Sequence, residues 1–410
     1  MRKSALKGTR DFLPQEVRLR DYMQNRILEV YQRNGFDRIS TPILEDIENL
    51  DKSEGGENLN LIFRVLKRGE KLKNALEQGK MEELCDIGLR YDLTLPLSRY
   101  YANNKDKLLS PMKCIQIDRV YRAERPQRGR DREFIQCDID ILGSASLHCE
   151  IELINTTAKA LKAVGIDDFT IRLNDRRLLK AVLMAAGVEE DRTESVCISI
   201  DKLDKIGVQG LAAELGAKGL KQEVIGKISD ILCSTMGLSE LEELTGEGSI
   251  TRGLREILRG LGELSSNTVD IRFDLTLVRG QGYYTGTIFE IESKRFKGSI
   301  GGGGRYDNLI GKFSGEAVPA VGFSIGFERI YAILSENGFE LPDMDRKMAL
   351  IYREEDFLEA SLAADQYRKN YDVCLYQMPV KLGKFIDRLA RSGCRFMVVY
   401  GEGQEVRRIE

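Results

Sequence analysis

Histidine is almost absent from this chain, which has one such residue, His148, in 410. A Ser-His-Asp triad, a histidine metal site or a histidine general base elsewhere in the chain is therefore excluded. The eight cysteines stand singly without a CxxC pair, which argues against a zinc site or thiol redox motif and indicates mostly buried free thiols in a reducing compartment. Whatever chemistry the protein performs must use arginines, carboxylates, amides and tyrosines.

Long apolar runs and a strong net charge are missing as well. No apolar run approaches the length of a membrane span, and the N-terminal segment MRKSALKGTRDFLP lacks the apolar core of a signal peptide. We therefore expect a cytoplasmic protein without a membrane partner. A net charge of −3 gives no overall basic field, so any contact with nucleic acid must come from a local patch.

Alternating apolar and polar residues between 114 and 142 predict a β-hairpin. In its second strand, Gln136, Asp138 and Asp140 share one face by the two-residue period of a strand. That face either meets solvent or lines a polar site, and Asp138 is expected to have a structural or supporting role. The connecting loop AERPQRGRDRE belongs to the densest basic patch of the chain, which favours an anion-binding loop but also suits a solvated one.

The other segments predict a mixed chain of helices and strands. Helical spacing predicts a helix that ends at Asn34–Gly35, and DRISTPILED, with Pro42 inside it, predicts an edge strand. The region from about 172 to 265 is rich in helical patterns and has the character of an insertion. From 346 to 410, strand and helix patterns alternate, which predicts a small α/β domain with a parallel sheet.

Three arginines lie at strand ends or near the start of a helix: Arg122 in VYRAERP, Arg279 in LVRGQGYY and Arg329 in GFERI. A guanidinium is always charged, and its planar fork clamps phosphate or carboxylate through two hydrogen bonds. Several such forks without a histidine indicate a reaction driven by positioning and charge stabilisation, such as transfer at a phosphorus centre. A carboxylate that attacks such a centre needs no general base.

Four consecutive glycines stand in SIGGGGRYDN, directly before Arg305 and Tyr306. No Gly-Lys-Ser/Thr tripeptide follows them, which argues against a phosphate-binding P-loop. We expect the glycines to form a strand whose backbone lies close beneath a ligand. Tyr306 would then close one side of that pocket.

A set of long motifs follows a consistent order along the chain: KGTRDFLP, LRYDLTLPLSRY, VYRAERPQRGRDREFIQCDIDILG, LVRGQGYYTGTIFE, GGGGRYDNLI and AVGFSIGFERI. Together they resemble the histidyl-tRNA synthetase family of class II aminoacyl-tRNA synthetases, from about residue 3 to 335 and weakly through the tail. The resemblance implies an α+β fold with a class II antiparallel β-sheet core flanked by helices in a catalytic domain over 1–335. The insertion at about 172–265 would belong to it, and 346–410 would be a shortened anticodon-binding-like domain.

The same resemblance implies that ATP, with Mg²⁺, activates histidine, and that the histidyl group passes to the 3′ end of tRNA-His. The enzyme would be a cytoplasmic homodimer, with Pro42 in the dimer motif. The positions that match the family's ATP site are Arg122 at the α-phosphate, Glu124 near the adenine amino group and Arg329 at the γ-phosphate. Arg122 and Arg279 match the catalytic positions, and Gln127 and Arg130 lie in the loop that approaches the tRNA acceptor end.

The amino-acid site implied by the resemblance has two parts. The positions that match those around the ammonium group are Asp92, Thr94, Gln136 and Asp140, and those around the imidazole are Tyr283, Tyr284 and Tyr306. Arg279 would also contact the amino acid, and no residue matches a metal ligand. A bulkier residue at Gly302 or Gly303 is then expected to raise the KM for histidine more than the KM for ATP.

The short C-terminal segment leaves alternatives open. It ends at EGQEVRRIE, where the family usually continues, so the chain is a truncated form, a divergent short form, or a paralogue that no longer charges tRNA. The alternative function is a non-catalytic paralogue such as the ATP phosphoribosyltransferase regulatory subunit of histidine biosynthesis. A non-catalytic relative does not need the RGxxYYTG motif or the three arginines Arg122, Arg279 and Arg329. This chain has all of them. An amino-acid ligase with another acceptor would keep the same site.

Overall fold

The computed structural model describes residues 3–51, 60–234, 236–264, 269–279, 282–339, 341, 346–403 and 405–409. These residues form two compact units, one within 1–10 and 23–337 and the other within 11–22 and 338–410. The predicted domain limits at 335 and 346 stay predictions. No helix in the described part of the chain combines the length and hydropathy needed to cross a membrane.

The helices and strands follow one another along the chain in this order: α1 (Pro14–Arg33), β1 (Asp37–Arg38), β2 (Leu44–Asp46), α2 (Ile47–Asp51), β3 (Arg64–Leu66), α3 (Glu70–Glu77), β4 (Cys85–Leu89), α4 (Thr94–Asn104), β5 (Met112–Tyr121), β6 (Glu133–Leu142), α5 (His148–Ala163), β7 (Phe169–Asp175), α6 (Arg176–Ala185), α7 (Thr193–Ile200), α8 (Leu203–Ala217), α9 (Gln222–Cys233), α10 (Leu238–Thr245), α11 (Gly248–Leu264), β8 (Asp270–Phe273), β9 (Thr287–Ser293), β10 (Phe296–Arg305), α12 (Gly311–Ser314), β11 (Ala320–Gly326), α13 (Phe327–Glu336), β12 (Lys347–Tyr352), α14 (Phe357–Tyr367), β13 (Asp372–Gln377), α15 (Leu382–Arg391), β14 (Phe396–Val399) and β15 (Arg407–Arg408).

An eight-stranded sheet forms the centre of the first unit, with strand order β1-β5-β6-β11-β10-β9-β7-β8. Its inner neighbours pair antiparallel, whereas β1 pairs parallel with β5 and β8 parallel with β7. A smaller sheet has the order β2-β4-β3. The antiparallel core with flanking helices agrees with the fold class expected from the sequence.

Local patterns explain several element ends. Helix α1 begins at Pro14, where the missing N–H of proline costs no helical hydrogen bond, and it is followed by Gly35 with φ of 82°, a left-handed position that suits glycine. The stretch predicted as one edge strand contains β1 and β2 instead, and Pro42 lies between them outside either strand. Because proline lacks the N–H that a ladder needs, the break falls there.

The predicted hairpin is confirmed as β5 and β6, paired from Met112 opposite Leu142 to Tyr121 opposite Glu133. Apolar residues of β6 point into the core because the strand alternates: Cys137, Ile139 and Ile141 are buried. Where the sequence predicted an insertion, β7 runs to Asp175 and the helices α6 to α11 follow.

The second unit has its own sheet, ordered β13-β12-β14-β15. Strands β13, β12 and β14 are parallel, as the alternating pattern predicted, and β15 adds a short antiparallel edge against β14. Sequence reasoning missed β15 because two residues are too few to show a period. The core between sheet and helices includes Ala349, Ile351 and Leu389.

Candidate active site

A cleft of about 970 Å³, counted with its solvent-filled mouth, lies over the middle strands of the large sheet. Most residues expected in the site line it: Thr94, Arg122, Glu124, Arg130, Gln136, Asp140, Arg279, Tyr283, Tyr284, Tyr306 and Arg329. Asp92 and Gln127 are not among the lining residues. Asp92 lies buried next to the acids of the cleft, close enough for its charge to raise the pKa of Asp138 and Asp140.

The polar face of β6 forms one wall of the cleft. Asp138 and Asp140 are 4% and 3% exposed, so this face does not meet bulk solvent. Asp140 accepts a hydrogen bond of 2.7 Å from the hydroxyl of Tyr306, and Asp138 accepts one of 3.3 Å from Nε2 of Gln136. Asp138 therefore lines the cleft, and its structural or supporting role stays a prediction.

Several buried oxygen atoms around this wall have no hydrogen-bond partner among the described residues. They are Oδ2 of Asp92, Oε1 of Gln136 and Oδ1 of Asp138. Each buried acceptor left unpaired costs about 1 to 3 kcal/mol, and native proteins seldom leave several together. An ammonium group offers three donors and one positive charge, so the wall is suited to bind a primary amine.

Burial and mutual repulsion raise the pKa values of these carboxyl groups. Burial raises the pKa of Asp92 to about 6 and that of Asp140 to about 7, where the Tyr306 hydrogen bond opposes the rise. Burial and the nearby Asp140 hold the pKa of Asp138 well above its usual range. A cation that enters the cleft would lower all of these pKa values, so binding of an amine is expected to release protons near neutral pH.

We expect Asp92 to make the free protein less stable as pH rises. Its pKa is about 6 in the folded state and about 3.9 in the unfolded state, so between these pH values the folded protein binds more protons. The free energy of unfolding, measured with urea, should therefore fall by about 1 to 3 kcal/mol between pH 4 and 7 relative to Asp92→Asn. A difference between the two proteins that does not change with pH would contradict this.

Three buried tyrosines form the next part of the cleft: Tyr283, Tyr284 and Tyr306. The ring centroid of Tyr283 lies 4.9 Å from that of Tyr284 and 6.0 Å from that of Tyr306, and both pairs are in edge-to-face arrangements. All three also pack in an apolar cluster with Leu97, so they are at once core residues and cleft residues. Burial raises the pKa of Tyr283 and Tyr306 well above the usual value, which keeps their hydroxyls protonated.

The arginines line the remaining part of the cleft. Arg122 donates from Nε to the carbonyl of Tyr91 at 2.9 Å, and its guanidinium lies 5.1 Å from the ring centre of Phe134. Arg329 donates to the carbonyl of Ser299. Burial, together with the positive charges of Arg130 and Arg279, lowers the pKa of Arg329.

Positive charge is therefore incompletely neutralised in this part of the cleft. Nε of Arg279 is buried without a hydrogen-bond partner among the described residues, while its Nη1 lies 3.2 Å from Oε2 of Glu290. Glu124 pairs with Arg130 at 3.0 Å. Guanidinium groups with spare donors suit a polyanion such as a triphosphate.

The loop between β5 and β6 brings Arg130 to the cleft but not Gln127. The main chains of Gln127 and Arg130 exchange hydrogen bonds of 2.9 and 3.0 Å, which close the loop tightly.

Across the described chain, no group of three or more His, Cys, Asp or Glu residues is placed to hold a metal ion.

The glycine run forms part of β10, as predicted. Each glycine leaves space for a different neighbouring group. A Cβ at Gly302 would lie 1.9 Å from Nη1 of Arg279, and one at Gly303 would lie 1.9 Å from the carbonyl oxygen of Gly322. Gly302 thus makes room for a side chain of the protein, and Gly303 allows β10 and β11 to approach. The face of β6 that carries Gln136, Asp138 and Asp140 is called the acidic wall here. The glycine next to this wall is Gly322, where a Cβ would lie 1.9 Å from Oδ1 of Asp140.

We therefore expect Gly322→Ala, rather than a change at Gly302 or Gly303, to act on the amine site. The new methyl group would displace the Asp140 carboxylate and raise the KM for the amino acid about tenfold or more, with the KM for ATP nearly unchanged. Gly262→Ala is the matched control, because that helical glycine has no atom near its Cβ position. Equal changes in both KM values would contradict the assignment.

Sequence reasoning did not select several other residues of the site. Phe134, Ser324 and Asp138 line the cleft, and Glu290 pairs with Arg279. The two-residue period of β6 gave a usable signal for Asp138 and Phe134, which share a face of the strand with Gln136. The others come together through pairing of strands that are distant along the chain.

Comparison with known proteins gives consistent matches. The family model described as "Histidyl-tRNA synthetase" matches residues 8–330. A histidine–tRNA ligase of Leifsonia xyli subsp. xyli is 44% identical over 359 residues, 82% of this chain and 80% of the relative. The one of Christiangramia forsetii is 34% identical, with 97% of this chain and 91% of the relative covered.

Solved structures give the same result for the fold. A histidyl-tRNA synthetase from Nostoc sp. PCC 7120 has a TM-score of 0.79 and 29% identity, with 97% of this chain and 91% of that chain covered. A protein from Bacillus halodurans C, described as an ATP phosphoribosyltransferase regulatory subunit/histidyl-tRNA synthetase, has a TM-score of 0.78 over 97% of this chain and 98% of that chain. At 21% identity it supports the fold alone.

Proposed function

The chain belongs to the histidyl-tRNA synthetase family, and we propose that it activates histidine with ATP and transfers the histidyl group to the 3′ end of tRNA-His. The observation that carries this proposal is a single cleft with unpaired acceptors on one wall and incompletely neutralised arginines on another. The first suits the ammonium group of an amino acid, and the second suits a triphosphate.

In the first step, a carboxylate oxygen of histidine attacks the α-phosphorus of ATP. The bond from that phosphorus to the bridging oxygen breaks, and pyrophosphate leaves with the electron pair. Arg122 and Arg279 stabilise the charge that develops on the α-phosphate oxygens. Arg329 would hold the γ-phosphate, and Glu124 would lie near the adenine amino group. Magnesium would accompany ATP and offset part of its negative charge.

The amino acid is held by the acidic and tyrosine walls. Asp140 and Gln136, with Asp92 and Thr94 beside them, would bind the ammonium group. Tyr283, Tyr284 and Tyr306 would surround the imidazole, because their neutral hydroxyls can donate or accept hydrogen bonds. A site that pairs both imidazole nitrogens rejects look-alike side chains by about 10⁴-fold without editing.

Transfer is the second step. The terminal ribose hydroxyl of tRNA attacks the carbonyl carbon of histidyl-adenylate and loses its proton to solvent. The bond from that carbon to the phosphate oxygen breaks, and AMP leaves with the electron pair. Gln127 and Arg130 would contact the acceptor end from the loop between β5 and β6. The proposed enzyme is a cytoplasmic homodimer with Pro42 near the subunit interface. Its shortened C-terminal domain over 346–410 would be anticodon-binding-like.

A charging assay tests this proposal. The purified protein should attach labelled histidine to tRNA-His in an ATP-dependent reaction, through an ester that mild alkali cleaves, and should leave other tRNAs uncharged. A non-catalytic paralogue would form no ester and no adenylate. Adenylate formation without charging of tRNA-His would reject the tRNA ligase and leave an amino-acid ligase with another acceptor.

A further inference from the structure

The loop that leads from β8 to Arg279 is held by side chains of β7. Nδ2 of Asn174 donates to the carbonyls of Leu275 and Leu277, both at 3.0 Å. Asn174 is fully buried, so these bonds are shielded from water. The main chain just before Arg279 is therefore fixed to the sheet.

Arg172 lies two residues earlier on the same face of β7 and holds the same loop. Its Nε donates to Oδ2 of Asp274 at 2.7 Å, and its Nη2 donates to Oγ1 of Thr276 at 3.0 Å. Its Nη1 donates to Oε1 of Glu292 at 2.7 Å and lies 3.8 Å from Oε1 of Glu290. The Arg172 side chain is 7% exposed, so these charge-assisted contacts are only weakly screened by solvent.

Glu290 connects Arg172 to Arg279. Its Oε1 faces Arg172, and its Oε2 lies 3.2 Å from Nη1 of Arg279. The strand register explains this position: Arg172 of β7 and Gly302 of β10 are the direct partners of Glu290 on either side. The three residues thus form one row across the sheet.

The row leaves the Arg279 guanidinium little freedom. Glu290 binds its Nη1 on one side, and the missing side chain of Gly302 provides the space that Nη1 occupies. Burial raises the pKa of the Glu290 carboxyl, but the charges of Arg279 and Arg172 oppose that rise. The two arginines thus help to keep Glu290 ionised.

We propose that Glu290, supported by Arg172, is a positioning residue that holds the Arg279 guanidinium in the orientation needed for adenylate formation. The inference rests on the proposed function and adds a residue to it. Glu290 acts through Arg279 and need not touch histidine or ATP. An oriented donor stabilises the transition state without reorganising during the reaction, and a misplacement of about 1 Å can cost about 10²-fold in rate.

The test is a double-mutant cycle with histidine-dependent ATP–pyrophosphate exchange as the measurement. Glu290→Gln should lower kcat by about 10- to 100-fold and leave the KM for histidine within about twofold, because the amine site lies on β6. In an Arg279→Gln background, adding Glu290→Gln should change the rate by less than about threefold, because residues that act as a unit are not additive. Arg172→Gln should behave like Glu290→Gln, but with a smaller loss.

The matched control is Glu152→Gln. It removes a partly buried carboxylate that lies outside the cleft and pairs with Nζ of Lys113 at 2.6 Å. Its exchange rate should equal that of the wild type. Thermal unfolding separates positioning from misfolding. If Glu290→Gln does not fold, Glu290→Asp, which keeps the charge but shortens the side chain, takes its place in the cycle.

The outcomes separate this inference from the proposed function. The positioning role alone would be overturned if the wild type exchanges pyrophosphate and Glu290→Gln does so at the same rate. It would also be overturned if Glu290→Gln lowers the exchange rate by the same factor in the wild type and in the Arg279→Gln background. A wild-type protein without exchange would overturn the proposed function and this inference together. A loss that disappears in the Arg279→Gln background supports both.

Discussion

Replacing Arg279 with glutamine is expected to lower histidine-dependent ATP–pyrophosphate exchange by about 10³-fold or more, the usual effect of removing an arginine that stabilises a phosphoryl transition state. In the free protein, Nε of Arg279 is buried without a hydrogen-bond partner among the described residues. Leaving a buried donor without a hydrogen bond costs free energy. The Nε–H of Arg279 is therefore available to bind an incoming oxyanion. The KM values for histidine and ATP should change much less than kcat, because the lost interaction is strongest in the transition state.

The control for this variant is Arg272→Gln. Arg272 belongs to β8, is exposed and pairs with Glu292 at 3.2 Å, so its removal takes away the same charge at a position outside the cleft. It should exchange pyrophosphate at the wild-type rate. An Arg279→Gln protein that keeps a tenth or more of the wild-type kcat would refute the catalytic role of Arg279.

Asp140→Asn is expected to raise the KM for histidine by about 10- to 100-fold with little change in the KM for ATP. A hydrogen bond to a charged group is worth about 1.5 to 3 kcal/mol, and every 1.4 kcal/mol is about a factor of ten in affinity. Asparagine keeps an oxygen that can accept from the Tyr306 hydroxyl, now 2.7 Å from Oδ1 of Asp140. The tyrosine wall should therefore stay in place, and the effect should come from the lost charge.

A ligand without the ammonium group provides the control. The des-amino analogue of histidine, 3-(imidazol-4-yl)propionate, should bind the wild type weakly and bind Asp140→Asn equally well, as measured by calorimetry. If Asp140→Asn weakens both ligands by the same factor, Asp140 supports the pocket without binding the ammonium group.

The sequence predicted the local structure of the site well, because the relevant patterns are short. The period of two in β6 placed Gln136 and Asp140 on one face, and both residues line the cleft. The glycine run was correctly expected to be a strand. These are properties of neighbouring residues, for which periodicity is a direct signal.

The arrangement across strands could not be predicted in the same way. Which side chain occupies the space above Gly302 depends on the register of β9 and β10 and on the path of the loop that carries Arg279. Alternation identified the polar face that carries Asp138 but does not show which residues of that face meet a cleft. The contact between Glu290 and Arg172 joins segments that the helices α6 to α11 separate in sequence, and no local pattern reports it.

The most direct test of the central claim is ATP–pyrophosphate exchange by the purified chain with each of the twenty amino acids in turn. If the acidic wall, the tyrosines and the arginines form one activation site for histidine, histidine alone should stimulate exchange, and Arg279→Gln should lower that stimulation by about 10³-fold. Exchange with no amino acid, or equal stimulation by amino acids that lack an imidazole, would contradict the account.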